Sequence, residues 1–203
     1  MTATGRPVAG SVTAGPSRFG VVRVWVGSLA AVLVRRGPAP GLRHSAGVRQ
    51  LVLPLVAMEI VVAFSLSSMP PPPARPVHAA FEALLVLAGL GLVAAVLRHP
   101  HQVDAERVVL RTGFLGEVTL PRSAVRSASS VVRTVPGRGP RPVPGEPGAV
   151  ACSVGSALNA ALRLDPPVRL DLGTAVLVDA GTVYVSADSV PDLSAALAAT
   201  SPR

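Results

Sequence analysis

Two carboxyls, Glu59 and Glu82, stand inside long apolar segments and are the residues of this 203-residue chain best placed to do chemistry. An ionisable group within a membrane-spanning helix is expensive to insert, so it marks a proton- or cation-binding position or a hydrogen bond to a neighbouring helix. Antiparallel packing of the two segments would bring these carboxyls within about two helical turns of each other in depth. Arg138 and Arg141 lie in the run Pro136–Gly148, PGRGPRPVPGEPG. Guanidinium groups beside Gly-rich backbone suit a phosphate or an acidic partner, while the same composition also describes a mobile surface loop. His99, His101 and Asp104 form a third constellation of metal-ligand types. Pro100 separates the histidines and no further ligand is near, so no metal is expected.

Other chemistries are excluded by what the chain lacks. All 19 basic residues are Arg, so there is no Walker A lysine, no kinase-type lysine and no Schiff base. No histidine follows His101, so the C-terminal half cannot assemble a Ser-His or Cys-His nucleophile by itself. Cys152 sits in the apolar run Ala149–Val154, where a thiolate is disfavoured; it reads as a small buried residue in a reducing compartment. No dinucleotide fingerprint is present. Catalysis and cofactors are therefore not expected.

The elements that would position the carboxyls are two apolar stretches. Leu51–Ser67 holds ten strongly apolar residues, each worth about −0.3 to −0.6 kcal/mol, which outweighs the roughly +2.5 to +3.5 of Glu59. Val77–Leu97 is as apolar, with Glu82 nearer its end. Ser68–Pro76, SMPPPPARP, is predicted to be a stiff extended break, with Pro54 close to the start of the first span. Residues 51–97 thus read as a two-helix transmembrane hairpin. Gly91 with Ala95, and Ala79 with Ala83, have the small-residue spacing of close helix packing. Residues 1–17 lack an apolar period and read as a disordered tail. Residues 18–50 contain the shorter stretch Gly20–Val34, an interfacial helix with Trp25 at headgroup level and Arg23 snorkelling, or a tilted third span, followed by a basic linker.

The charge follows the spans. Residues 1–101 carry a net charge of +7 and residues 102–203 only +1, so the sequence pI of about 11.6 comes from the flanks of the spans. Nucleic acid is not an expected partner. Arg35, Arg36, Arg43 and Arg49 precede the hairpin and Arg98 and Arg107 follow it, whereas its connection holds only Arg75. The positive-inside rule places both outer flanks, and the C-terminal domain, in the cytoplasm of a multi-pass membrane protein.

From Gln102 the period changes to two. Val108 and Leu110, Val118 and Leu120, Leu158, Leu162 and Leu164, then Val168, Leu170 and Leu172 alternate with polar residues, as half-buried antiparallel strands do. Gly113, Gly116, Gly173 and Gly181 are expected at turns. Ser189 and Asp192, in capping-box spacing, open a final helix to Thr200 with Val190, Leu193 and Leu197 on one face. The predicted fold class is α+β: a transmembrane hairpin and, over 102–200, an antiparallel β domain closed by one C-terminal helix.

The phrases VVLRTGFLGEVTLPRSAVRSAS and VYVSADSVPDLSAAL resemble the opening hairpin and the last strand and capping helix of the PH-like barrel domain of small bacterial membrane proteins. The whole is similar to uncharacterised membrane proteins of actinobacteria, in keeping with a Lys-free, Ala-, Val-, Gly- and Pro-rich composition. The long loop Pro136–Gly148 departs from that pattern and leaves a different barrel or sandwich open. The resemblance implies a membrane-anchored cytosolic module that binds a protein partner, another copy of itself or lipid headgroups. The alternative is a small accessory subunit of a transporter or channel complex working through Glu59 and Glu82.

Overall fold

The structure, a computed structural model, describes residues 8–14, 18–34, 40–44, 46–113, 115–173 and 176–200. Arg35 and Arg36 of the basic flank lie outside the described residues. Two short strands come first, β1 (Val8–Ala9) and β2 (Ser11–Ala14), then helix α1 (Arg18–Leu33). Residues 8–14 thus correct the expectation of a tail. They are too short to show a period, and their order comes from partners more than 100 residues downstream.

Helices α2 (Ala46–Leu66) and α3 (Arg75–Leu97) are long and apolar enough to cross a membrane. At 21 and 23 residues they extend about 31 and 34 Å, against a hydrocarbon core of about 30 Å. They pack on each other, and their outward faces leave Phe64, Met58, Val61, Val77 and Phe81 exposed, the surface expected of helices in hydrocarbon. Beyond its first turn, the less exposed positions of α2, Val52, Val56, Glu59 and Ala63, follow a seam spacing of four, three and four residues. Gly89 of α3 makes the seam tight: a Cβ there would stand 2.3 Å from Val56 Cγ2.

Two expectations change here. α2 begins five residues earlier than the apolar run, so Pro54 lies in its interior. The connection is compact rather than extended: Pro72–Ala74 form a 3-10 turn that leads straight into α3, and Arg75 donates to the carbonyls of Pro70 and Ser68. α1, expected as an interfacial helix or a tilted third span, has a helical neighbour. It packs on α3, with the Trp25 indole donating to Ala88 O at 3.1 Å and lying against Gly91, where a Cβ would come within 2.1 Å of Nε1.

The chain then builds β3 (Gln102–Val103), β4 (Arg107–Arg111), β5 (Gly116–Pro121), β6 (Val125–Thr134), β7 (Gly139–Pro142), β8 (Ala149–Ser153), β9 (Ala157–Asp171) and β10 (Leu177–Val185), and ends in α4 (Val190–Ala199). Four strands form one sheet in the order β2-β5-β4-β3. In the other, β1-β9-β10-β8-β7 run in order and β6 pairs with the first part of β9. The described strands form these two sheets and not a closed barrel, so the architecture is α+β with an open, two-sheet β domain.

The predicted alternation is the core. Val108, Leu110, Val118 and Leu120 from the smaller sheet meet Leu162, Leu164, Val168, Leu170 and Val183 from the larger, with Leu193 and Leu197 of α4 closing the cluster. Gly113 and Gly116 turn the β4-β5 hairpin with positive φ. Gly181, expected at a turn, instead lies at the bulge where β10 shifts register against β9. The run after Pro136 is not a loose loop. It forms β7, and Val135 and Val143 cover Ala151, Leu158 and Tyr184 in a second small core.

α4 is held at both ends. Ser189 Oγ accepts from the Asp192 amide at 3.2 Å, as the cap spacing predicts. At the other end the buried Arg122 donates to the carbonyls of Leu197 and Val125 and to Thr200 Oγ1, setting a cation on the negative end of the helix.

Candidate functional site

The structure brings Glu59 and Glu82 together. Each lies on the α2-α3 seam and the Glu59 carboxyl meets that of Glu82. His78, one turn before Glu82, holds Nδ1 at 3.7 Å from Glu82 Oε1. Glu82 Oε2 and His78 Nε2 are buried without a hydrogen-bond partner. Beside them a groove of about 450 Å³ is lined by Ser67, Arg75, His78 and Glu82 among apolar residues. Two ionised carboxylates offer acceptors but no donor, so this arrangement is incomplete without a proton or a cation. The contribution of His78 is legible only once the turn is known, since the sequence shows a lone histidine at the edge of an apolar run.

The two arginines do not form a common anion site. Arg138 is exposed, whereas Arg141 is used up within the fold. Its guanidinium donates to the carbonyls of Val135, Pro136, Gly139 and Gly155 and to Ser153 Oγ. It gathers the carbonyls of the turn around β7, which corrects its reading as a ligand grip. The adjacent cluster of Arg133, Glu146 and Tyr184 is likewise internal: Arg133 donates to Tyr184 Oη and pairs with Glu146, and Tyr184 Oη donates to Glu146.

His99, His101 and Asp104 also separate. His99 Nδ1 lies 2.7 Å from Ala95 O, and Asp104 faces Arg107 at 3.8 Å on the surface. In His101, Nδ1 accepts from the Arg111 amide and Nε2 donates to Ser186 O, both at 2.9 Å. That leaves no ring lone pair for a metal. Cys152 is fully buried, and burial pushes its thiol up to about 12.

What the sequence does not reveal is the joint between helices and β domain. Leu42 and His101 exchange two backbone hydrogen bonds of 2.9 Å. The His44 ring stacks on that of His101, with centroids 4.4 Å apart and planes at 21°. His44 Nε2 accepts from the Gly113 amide at 3.2 Å. Both rings therefore accept a backbone N–H and must be neutral to do so. Burial and mutual repulsion depress His44 to about 3, and burial depresses His101 to about 4 despite the Ser186 carbonyl and Asp188. Next along, Asp188 accepts from the Ala46 amide at 2.7 Å and pairs with Arg49 at 2.5 Å, capping α2 from 142 residues away. The Asp188 amide in turn donates to Arg43 O at 2.8 Å. The first turn of α2 and the end of α3 are thus fastened to one edge of the β domain. The chain matches no protein-family model, no curated protein and no solved structure.

Proposed function

We propose that the chain is a membrane-anchored interaction module, in which α2 and α3 cross the bilayer and hold the β domain against the cytoplasmic face to bind a partner there. The observation that carries this reading is the joint at His44, His101 and Asp188, which ties the start of α2 and the end of α3 to one edge of the β domain. A domain tethered only for location needs a flexible linker, whereas one fastened by a buried stack and a shared helix cap presents a fixed surface to whatever lies at the membrane. The orientation is supported by Arg43, Arg49, Arg98 and Arg107 on the β-domain side of the hairpin, against Arg75 alone at its turn. Strands followed by one C-terminal helix support a PH-like scaffold opened into two sheets. The resemblance to actinobacterial membrane proteins belongs to the same reading.

Crosslinking in native membranes followed by affinity purification tests it. Recovery of a defined protein or lipid through the β domain, with the chain resisting alkaline carbonate, is the expected result. Release by carbonate overturns it. A second reading, an accessory subunit of a transport complex, is favoured by the paired carboxyls, between which a proton or cation would supply the missing charge. Under that reading Glu59→Gln abolishes transport by the co-purified complex while insertion is intact. Unchanged transport refutes it.

A further inference from the structure

Helix α1 lacks a polar face. It carries no charge after Arg23, and of its exposed positions, Val22, Arg23, Val26, Gly27 and Ala30, only Arg23 is polar. Trp25, Ser28 and Ala31 stand on the other side in steps of three. Ser28 and Ala31 are buried, and the Trp25 indole donates to Ala88 O of α3. A helix that is apolar all round needs an apolar cover on both sides. α3 supplies one. The cover over Val22 and Val26, which are 58% and 50% exposed, comes from none of the described residues.

The indole bond fixes the depth of that face. Ala88 stands nine residues before Leu97, the last residue of α3, about 14 Å along the helix axis. Its neighbours Leu87 and Leu90 are themselves exposed apolar residues of a helix long and apolar enough to cross a membrane. The outer face of α1 therefore adjoins the surface that α3 would turn to hydrocarbon. The chain also limits how far α1 reaches. At 16 residues it measures about 24 Å, against about 30 Å of hydrocarbon. Ala14 ahead of it is paired with Gly116, and Leu42 beyond it with His101, both on the β domain. We propose that α1 is embedded in one leaflet only, the one next to the β domain, where phospholipid acyl chains cover Val22 and Val26 and the aliphatic stem of Arg23 carries its charge to the headgroups. This names the lipid contact of the membrane-anchored module and rests on that reading. It makes the embedded part of the chain broader in that leaflet than in the other.

The test uses the full chain in phosphatidylcholine vesicles, oriented with the β domain outward, with brominated phosphatidylcholine exchanged into the outer leaflet alone. A bimane is attached at Val26→Cys or, as a reference near the far end of α2, at Phe64→Cys. The native Cys152 is fully buried and stays unlabelled. The Val26 probe is expected to lose emission, and the Phe64 probe to lose it only when both leaflets are brominated. Quenching of the Val26 probe by aqueous iodide instead puts that face in water and overturns the proposal. Quenching by neither agent puts a protein over the face, and quenching that needs bromine in the inner leaflet carries α1 across the bilayer; either overturns it as well. Val22→Cys, on the same exposed face, takes the measurement if Val26→Cys lowers the melting temperature. A Phe64 probe untouched by bromine in both leaflets makes the membrane reading itself fail, whatever the Val26 probe shows.

Discussion

Acidifying the solvent from about pH 7.5 to about pH 5 should weaken the β domain through the His44–His101 stack. Both rings titrate well below an unfolded histidine, at about 3 and about 4, while the unfolded chain takes up protons near pH 6.5. The unfolded state therefore binds protons first as pH falls. Stability is complete above about pH 6.5, declines through the window below it, and stops declining only near pH 4 and 3. At pH 5 each ring contributes a loss of about 2 kcal/mol, or about 4 together, a large part of the 5 to 15 kcal/mol of a typical domain. With a urea dependence of about 2 kcal/mol per molar, the midpoint should fall by about 2 M. The assay is urea unfolding of the full chain in a non-ionic detergent, followed by the β signal in far-UV circular dichroism. His101→Gln, which retains a donor and an acceptor, should remove about half of the pH dependence while costing stability at pH 7.5. A midpoint that is flat between pH 7.5 and 5, or a slope that His101→Gln leaves untouched, would refute the argument.

Gly89→Leu should loosen the helix pair by about 1 to 3 kcal/mol, because even a Cβ at this position overlaps Val56; thermal melting in detergent, read from the helical signal, measures it. Arg122→Met keeps the aliphatic stem but strips the donors from Leu197, Val125 and Thr200, so the β domain should lose about 3 kcal/mol of urea stability. That loss should change little with salt, because the group is buried. The Cys152 thiol, buried and raised to about 12, should resist an aromatic disulfide reagent at pH 8 and react only as fast as the domain opens. Rapid labelling of the folded chain would contradict its place between the sheets.

How much of this was legible depended on the range of the interactions. The two long helices declare themselves by length and apolarity, and the strands around Val108, Val118, Leu162 and Leu170 by a period of two. Ser189 is readable as a cap because its partner Asp192 is three residues away. The start of α2 is not, because its cap is Asp188. β1 and β2, of two and four residues, are too short to carry a pattern and exist only through Val168 and the β5 edge. Arg141 looks like a surface charge until the carbonyls around it close. In the candidate sites, residue types pointed to Glu59 and Glu82, but the unpartnered donor of His44 appears only when Gly113 takes its other nitrogen.

The pairing of β2 with β5, and of Leu42 with His101, also answers a question of parity. Residues 11–14 and residue 42 are both fixed to the β domain, so the chain between them starts and finishes on the same side of any bilayer that α2 and α3 traverse. A path with both ends on one side traverses an even number of times. Among the described residues a single helix of 16 residues lies in that path, so if α2 and α3 cross, α1 crosses no bilayer with them. It leans on α3 through Trp25, and residues 8–14, paired with β9 and β5, stay on the side where the β domain sits.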